Sequence, residues 1–113
     1  MSVASKYLKW QATAAVAMAA GNATFTPESA VIVTEIRLHL SAVGGAVEDF
    51  VCTLDDHTNA VYDAVLMTTP MAAAADVTAD NLNWHLRLGD DLIFTYANTN
   101  TRTWGLTVVY RET

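Results

Sequence analysis

Three histidines, twelve acidic side chains and a single cysteine are the residues of this 113-residue chain whose types could do chemistry. Their spacing limits what that chemistry is. His39 and His85 stand on polar positions of alternating segments and His57 stands in a turn, all three far apart. Transition-metal sites draw on close pairs such as His-x-His or on Cys and His clusters, so these histidines predict no metal site. Asp55, Asp56, Asn59 and Asp63 offer oxygen ligands of the kind calcium takes. They lack the twelve-residue loop with its central Gly and terminal Glu, and turns attract Asp and Asn for backbone reasons alone.

Asp90 and Asp91 are adjacent carboxylates, which on a strand would point to opposite faces and could not act on one bond. A turn is the better place for them. Cys52 alternates with Phe50 and Leu54, so it falls on an apolar face and packs as a small hydrophobe, whereas a reactive thiolate needs an electropositive, partly open site. A lone cysteine makes no internal disulfide. No Gly-x-Ser-x-Gly, His-Glu-x-x-His or phosphate-cradling glycine loop occurs, and Gly44-Gly45 leads into no helix. The sequence therefore predicts a protein that is not an enzyme and needs no cofactor.

The elements that must position these residues are strands. Leu82, Trp84, Leu86 and Leu88 share one face of a first strand, Leu92, Phe94 and Tyr96 one face of a second, and Trp104, Leu106, Val108 and Tyr110 one face of a third. Asn83, His85, Arg87, Thr95, Thr107 and Arg111 take the alternate positions, the dress of an antiparallel sheet packed on one side. Upstream, residues 30–41 read as a long strand, and Phe50, Cys52 and Leu54 as the next. A polar turn at 55–59 leads into a strand over 61–68 that Pro70 ends. The Ala-rich stretch 71–80 fits a short helix or a crossing connection between sheets. Turns at 89–91 and 98–102 carry Gly, Asp and Asn where tight or left-handed backbone is expected. Seven or eight strands at spacings of about 8–12 residues make an all-β, antiparallel sandwich.

Residues 2–20 are small and apolar without a clean period. They read as an extended arm or early strand through Tyr7, Leu8, Lys9 and Trp10, with helix open as the alternative over 12–20 because Ala is the best helix former. The chain thus divides into an N-terminal arm or edge strand at 1–25 and a sandwich domain at 26–113. Lys6 and Lys9 ahead of the Ala-rich stretch imitate a signal peptide, but residues 12–20 hold no Leu, Ile or Phe, so no cleavage is expected. No run approaches the ~18 apolar residues of a spanning helix, and no membrane partner is expected.

Hydrophobic residues make up 52% of the chain and charged ones 16%, rather apolar for a monomer that must solvate its whole surface. Part of the outer face is expected to meet another subunit. The net charge of −6 and the scattered cations Lys6, Lys9, Arg37, Arg87, Arg102 and Arg111 supply no clustered basic face, which argues against nucleic acid as a partner. Tyr and Trp commonly anchor interfaces. The candidate partner-binding residues are therefore Tyr7 and Trp10 in the arm, with Ile93 and Val109 on outward positions of neighbouring strands.

Together with the strand pattern, the segment Leu86-Arg87-Leu88-Gly89-Asp90-Asp91-Leu92-Ile93-Phe94 and the ending Thr103-Trp104-Gly105-Leu106-Thr107-Val108-Val109-Tyr110 resemble the small jelly-roll decoration, or cement, proteins of tailed-phage capsids. The resemblance covers mainly residues 30–113. It implies a jelly-roll sandwich made in the host cytoplasm and carried in the virion, with the major capsid protein as partner. The implied function is mechanical: a homotrimer bridges neighbouring capsid subunits and stiffens the shell. The competing expectation is a carbohydrate- or receptor-binding module of a phage tail or fibre, which would need an exposed aromatic ring.

Overall fold

Strict alternation of apolar and polar side chains lets a strand bury one face only, so the strands of this chain must find a second layer to cover it. The computed structural model describes residues 5–12 and 16–113. Among them run β1 (Lys6–Ala12), β2 (Thr24–Phe25), β3 (Val31–Leu40), β4 (Asp49–Asp55), β5 (Ala64–Pro70), β6 (Asp76–Ala79), β7 (Trp84–Leu86), β8 (Asp91–Thr95) and β9 (Trp104–Glu112). They form two antiparallel sheets. The larger has the order β1-β9-β3-β6, with β7 also paired to β3, and the smaller the order β2-β8-β4-β5. β6 pairs with Ile36–His39 and β7 with Val31–Val33, so the two are halves of one interrupted strand lying along β3. With that strand counted once, eight strands in two four-stranded layers give the jelly-roll order.

The break has a visible cause. A bulge at Thr34 shifts the β3–β9 register between Val33 and Glu35, and the Thr34 carbonyl accepts a 3.0 Å bond from the Leu82 N–H where β6 gives way to β7. The facing layers pack Val33, Ile36, Leu38, Leu40, Trp104, Leu106 and Val108 of the larger sheet against Phe25, Phe50, Cys52, Leu92 and Phe94 of the smaller. The Phe50 and Phe94 rings stack with centroids 6.0 Å apart, and Phe25 meets Tyr110 across the layers at 4.8 Å. Among the described residues no helix is long and apolar enough to cross a membrane.

Several expectations change once the layers are known. The strand expected over 82–88 narrows to Trp84–Leu86, and Leu88, expected on the packed face, is 64% exposed because a turn begins at Arg87. Residues 71–80 are a turn followed by β6. The strand expected over 61–68 is a 3-10 turn at Ala60–Tyr62 and then β5, which keeps Pro70 as its last residue, opposite Asp49. The largest change concerns β7, β8 and β9, which are consecutive in sequence but alternate between sheets. Ile93 and Val109 therefore lie on opposite outer faces of the sandwich, not on neighbouring strands.

The N-terminal segment is built into the domain. β1 is the edge strand of the larger sheet and pairs with β9 from Lys6↔Tyr110 to Ala12↔Trp104. Met18 is buried and bridges Tyr96 by backbone bonds of 2.9 and 3.0 Å. The Val16 carbonyl accepts from the Trp104 indole N–H at 3.0 Å and from the Asn98 amide at 2.9 Å. A helix over 12–20 is not found among the described residues of that stretch, residues 13–15 lying outside them. Residues 6–12 and 16–18 are thus tied to the sandwich. A chain lacking them leaves a Met18-sized gap, worth about 2–5 kcal/mol, besides the missing edge strand, and its melting midpoint in a thermal unfolding scan is expected about 10 °C or more below that of the full chain.

Candidate functional site

Of the four residues expected to bind a partner, Tyr7 and Val109 lie side by side on the larger sheet and Ile93 lies on the smaller one. Tyr7, on the outer face of β1, is 56% exposed and lies opposite Val109, which in turn lies opposite Glu35. Val109 points outward as expected yet is only 5% exposed. The reason is a roof of longer side chains: the Arg37 guanidinium bonds to Glu35 and sits 5.8 Å over the Tyr7 ring, spanning the row that holds Val109. Trp10 lies opposite Leu106 in the backbone register, and its side chain is outside the described residues. Ile93, half-buried on the other outer face, is the centre of a different surface.

That surface is the outside of the smaller sheet. Thr24, Ile93, Thr53 and Val65 stand in one cross-strand row, and Thr95, Val51 and Thr68 in the next. These seven side chains carry no charge. Asp55 and Asp91 face each other beyond one end of the rows, and Asp49 lies beyond the other. Val65 is 62% exposed, and Val61 and Tyr62, in the 3-10 turn before β5, are exposed as well. The outer face of the larger sheet differs in kind, bearing Glu35 with Arg37 and His39 with Asp76, the latter pair 2.5 Å apart. β-Branched side chains on the smaller sheet suit the pleat.

A polar cluster that the sequence did not announce joins the 55–59 turn to the 87–91 turn. Asp90 is 3% exposed. Its Oδ1 accepts the His57 backbone N–H at 3.0 Å and the ring Nδ1–H at 2.6 Å, and its Oδ2 accepts the Arg87 N–H at 2.9 Å. A carboxylate only accepts, so the imidazole proton sits on Nδ1 and Nε2 faces outward, 3.5 Å from the Thr58 hydroxyl. Gly89 permits the approach: its φ is 97°, and a Cβ there would stand 2.9 Å from the Cβ of His57. Burial alone pushes the Asp90 carboxyl up, but the three bonds from His57 and Arg87 outweigh it and hold the group below the usual carboxylate range. The Thr58 N–H likewise holds Asp56 low.

The cluster has two chemical readings besides a structural one. Ligand atoms of Asp56, His57 and Asp90 lie within 4.8 Å of one another, as a divalent cation would want, and Thr58–His57–Asp90 follows the order of a nucleophilic triad. The bonds already made support the structural one. Both Asp90 oxygens are taken by protein donors, Asp56 Oδ1 accepts the Thr58 N–H at 2.8 Å, and Asp56 Oδ2 faces the Arg87 guanidinium at 3.5 Å. Asp63 Oδ1 accepts the Asp56 N–H and Asn59 Oδ1 accepts the Val61 N–H, bonds that close the turn. The arrangement is a clasp between two turns. Comparison with known protein families and with curated proteins finds no match for the chain.

Two expectations follow for the folded protein. Both carboxyl shifts are downward, so the folded state keeps Asp56 and Asp90 ionised where the unfolded chain takes up protons. Their stabilisation is whole above pH of about 4 and is lost as pH falls below it. Thermal melts between neutral and acid pH check this, and Asp90→Ala is expected to lower stability at neutral pH by on the order of 3 kcal/mol and to weaken the acid dependence. Cys52 is fully buried, and desolvation pushes its thiol up to about 12. An aromatic disulfide reagent is expected to label it only after denaturant is added.

Proposed function

We propose that this chain is a structural protein of a tailed-phage virion, a capsid decoration or cement protein that acts as a homotrimer on the major capsid protein. The observation that carries the reading is the uncharged outer face of the smaller sheet. In a chain of net charge −6, seven contiguous outward side chains without a charge are the surface best suited to association, because closing it against another copy desolvates no ion. The jelly-roll order of the strands agrees with the resemblance that the segments 86–94 and 103–110 carry. In this reading the protein is made in the host cytoplasm and works by buried area instead of by a reaction. The competing sugar-binding reading asked for an exposed aromatic ring: Trp104 is 3% exposed with its N–H bonded to Val16 and Trp84 is partly buried against the core, while Tyr7 and Tyr62 are open.

Sedimentation at micromolar concentration is expected to give a trimer, and images of particles made by the encoding genome to place its density on the capsid shell. Thr53→Lys puts a charge at the middle of the uncharged face, where a strand surface tolerates substitution within about 0.5 kcal/mol. It is expected to leave the circular dichroism spectrum of the folded chain in place and to yield monomers. A trimer unaffected by Thr53→Lys moves the interface elsewhere, and density confined to the tail replaces the decoration reading with that of a tail component.

A further inference from the structure

The connection between β4 and β5 has no apolar anchor. From Asp56 to Val65 no residue is buried, and the 3-10 turn at Ala60–Tyr62 buries none of its side chains. A segment without buried apolar contacts opens locally at little cost unless polar contacts hold it. Here they come from one place. Among the described residues every hydrogen bond and ion pair that leaves 56–63 goes to Arg87 or Asp90: the His57 N–H and ring Nδ1–H to Asp90 Oδ1, and Asp56 Oδ2 to the Arg87 guanidinium. The other bonds of the segment close it on itself, Asp56 with Asp63, Thr58 with Asp56, and Val61 and Tyr62 with Asn59.

We infer that His57 and Asp90 form an acid-released latch: when Asp90 takes up a proton, residues 56–63 come free of the 87–90 turn while the two sheets stay folded. The latch belongs to the isolated chain and does not rest on the decoration role. Its direction follows from the donors around Asp90. The two oxygens meet three N–H groups, which a carboxylate satisfies, whereas a carboxylic acid must turn its O–H toward a donor. At 3% exposure little water reaches the group to make good the loss. The ionisable neighbours are His57, Arg87 with Nε 3.9 Å from Oδ2, and Asp56. A second proton on His57 goes to the outward Nε2 and leaves the Nδ1–H bond in place, so the release comes from the carboxyls. Protonation of Asp56 works in the same direction, because it weakens the tie to Arg87 and the bond from Thr58. Both carboxyls are held below their ordinary range, so the latch is closed at neutral pH and opens below pH of about 4. The layers themselves meet through side chains that acid does not protonate.

Amide hydrogen exchange of the full chain, followed by NMR, tests this. At pH 7 the amides of His57, Thr58, Tyr62 and Asp63, each hydrogen-bonded in the closed latch, are expected to be protected. Asp90→Asn keeps the size of the side chain but turns an NH₂ group toward donors. It is expected to cut that protection roughly tenfold or more at pH 7 while Leu106 and Val108 in β9 keep theirs. The unaltered chain at pH 3, with protection taken relative to the unstructured rate at that pH, is expected to show the same pattern. Asp91→Asn removes a charge at the next position, outside the latch, and is expected to leave protection as it was. Three results overturn the inference: unchanged protection over 57–63 in Asp90→Asn or at pH 3, loss of protection in β9 to the same extent as in the segment, or an effect of Asp91→Asn as large as that of Asp90→Asn. If Asp90→Asn does not fold, the acid arm on the unaltered chain decides alone.

Discussion

Two sheets share one core only if the chain crosses between them, and each crossing takes backbone N–H and C=O groups out of the ladders at a place where water is kept away. The fold depends on how those groups are satisfied. Among the described residues the two buried polar side chains are Asp90 and Asn98, and they stand at the two crossings that flank β8. Asp90 collects N–H bonds from His57 and Arg87 as the chain leaves β7 for the smaller sheet. Asn98, with φ of 55°, donates to Val16 and Arg102 and accepts the Arg102 N–H as the chain returns to the larger sheet at β9. Each also reaches a segment remote in sequence, the 55–59 turn in one case and the 16–18 segment in the other. β8 is thereby pinned at both ends in the centre of its sheet, between β2 and β4.

The periodic parts of the chain were legible because a half-buried strand writes its burial into its parity. Alternation alone places Val108, Leu106, Phe94, Leu92 and Phe50 on a packed face, and all are buried. What parity does not contain is which sheet a strand joins. β7, β8 and β9 look like a meander in sequence, and only the crossings at 87–91 and 96–103 reveal that they alternate between layers. The error about Ile93 and Val109 as neighbours came from there. Turn chemistry was readable at Gly89 and Asn98, both of which take left-handed backbone, but the partner of each turn was not. His57 and Asp90 are 33 positions apart, and no local pattern links them. The segment 16–23 was hidden for another reason: Met18 and Ala23 bury by filling a corner, which leaves no period to read.

Charge is distributed over the two outer faces in a way that bears on association. The larger sheet carries polar and charged groups on its outside but pairs them locally, Arg37 with Glu35 and His39 with Asp76, and the Arg37–Glu35 pair engages Tyr7. Exposed pairs of this kind add little stability, typically 0–1 kcal/mol, and their effect here is to keep that face solvated. The smaller sheet leaves its acidic residues at the ends of the rows and fills the middle with Thr, Val and Ile. A solvated monomer gains nothing from such a segregation.

The way two copies could meet is further limited by the edges. β1 exposes an edge whose sequence holds Lys6 and Lys9, β2 is two residues long, and β6 is four residues long with Asp76 at its start. β5 is the long uncharged edge, but its pairing with β4 is broken by a bulge between Cys52 and Thr53 and it ends in Pro70, devices that twist an edge away from a prospective partner strand and remove a donor from it. Growth of the sheet by adding a strand is thus discouraged at every edge. Association through the outer face of β2, β8, β4 and β5 meets none of these obstacles.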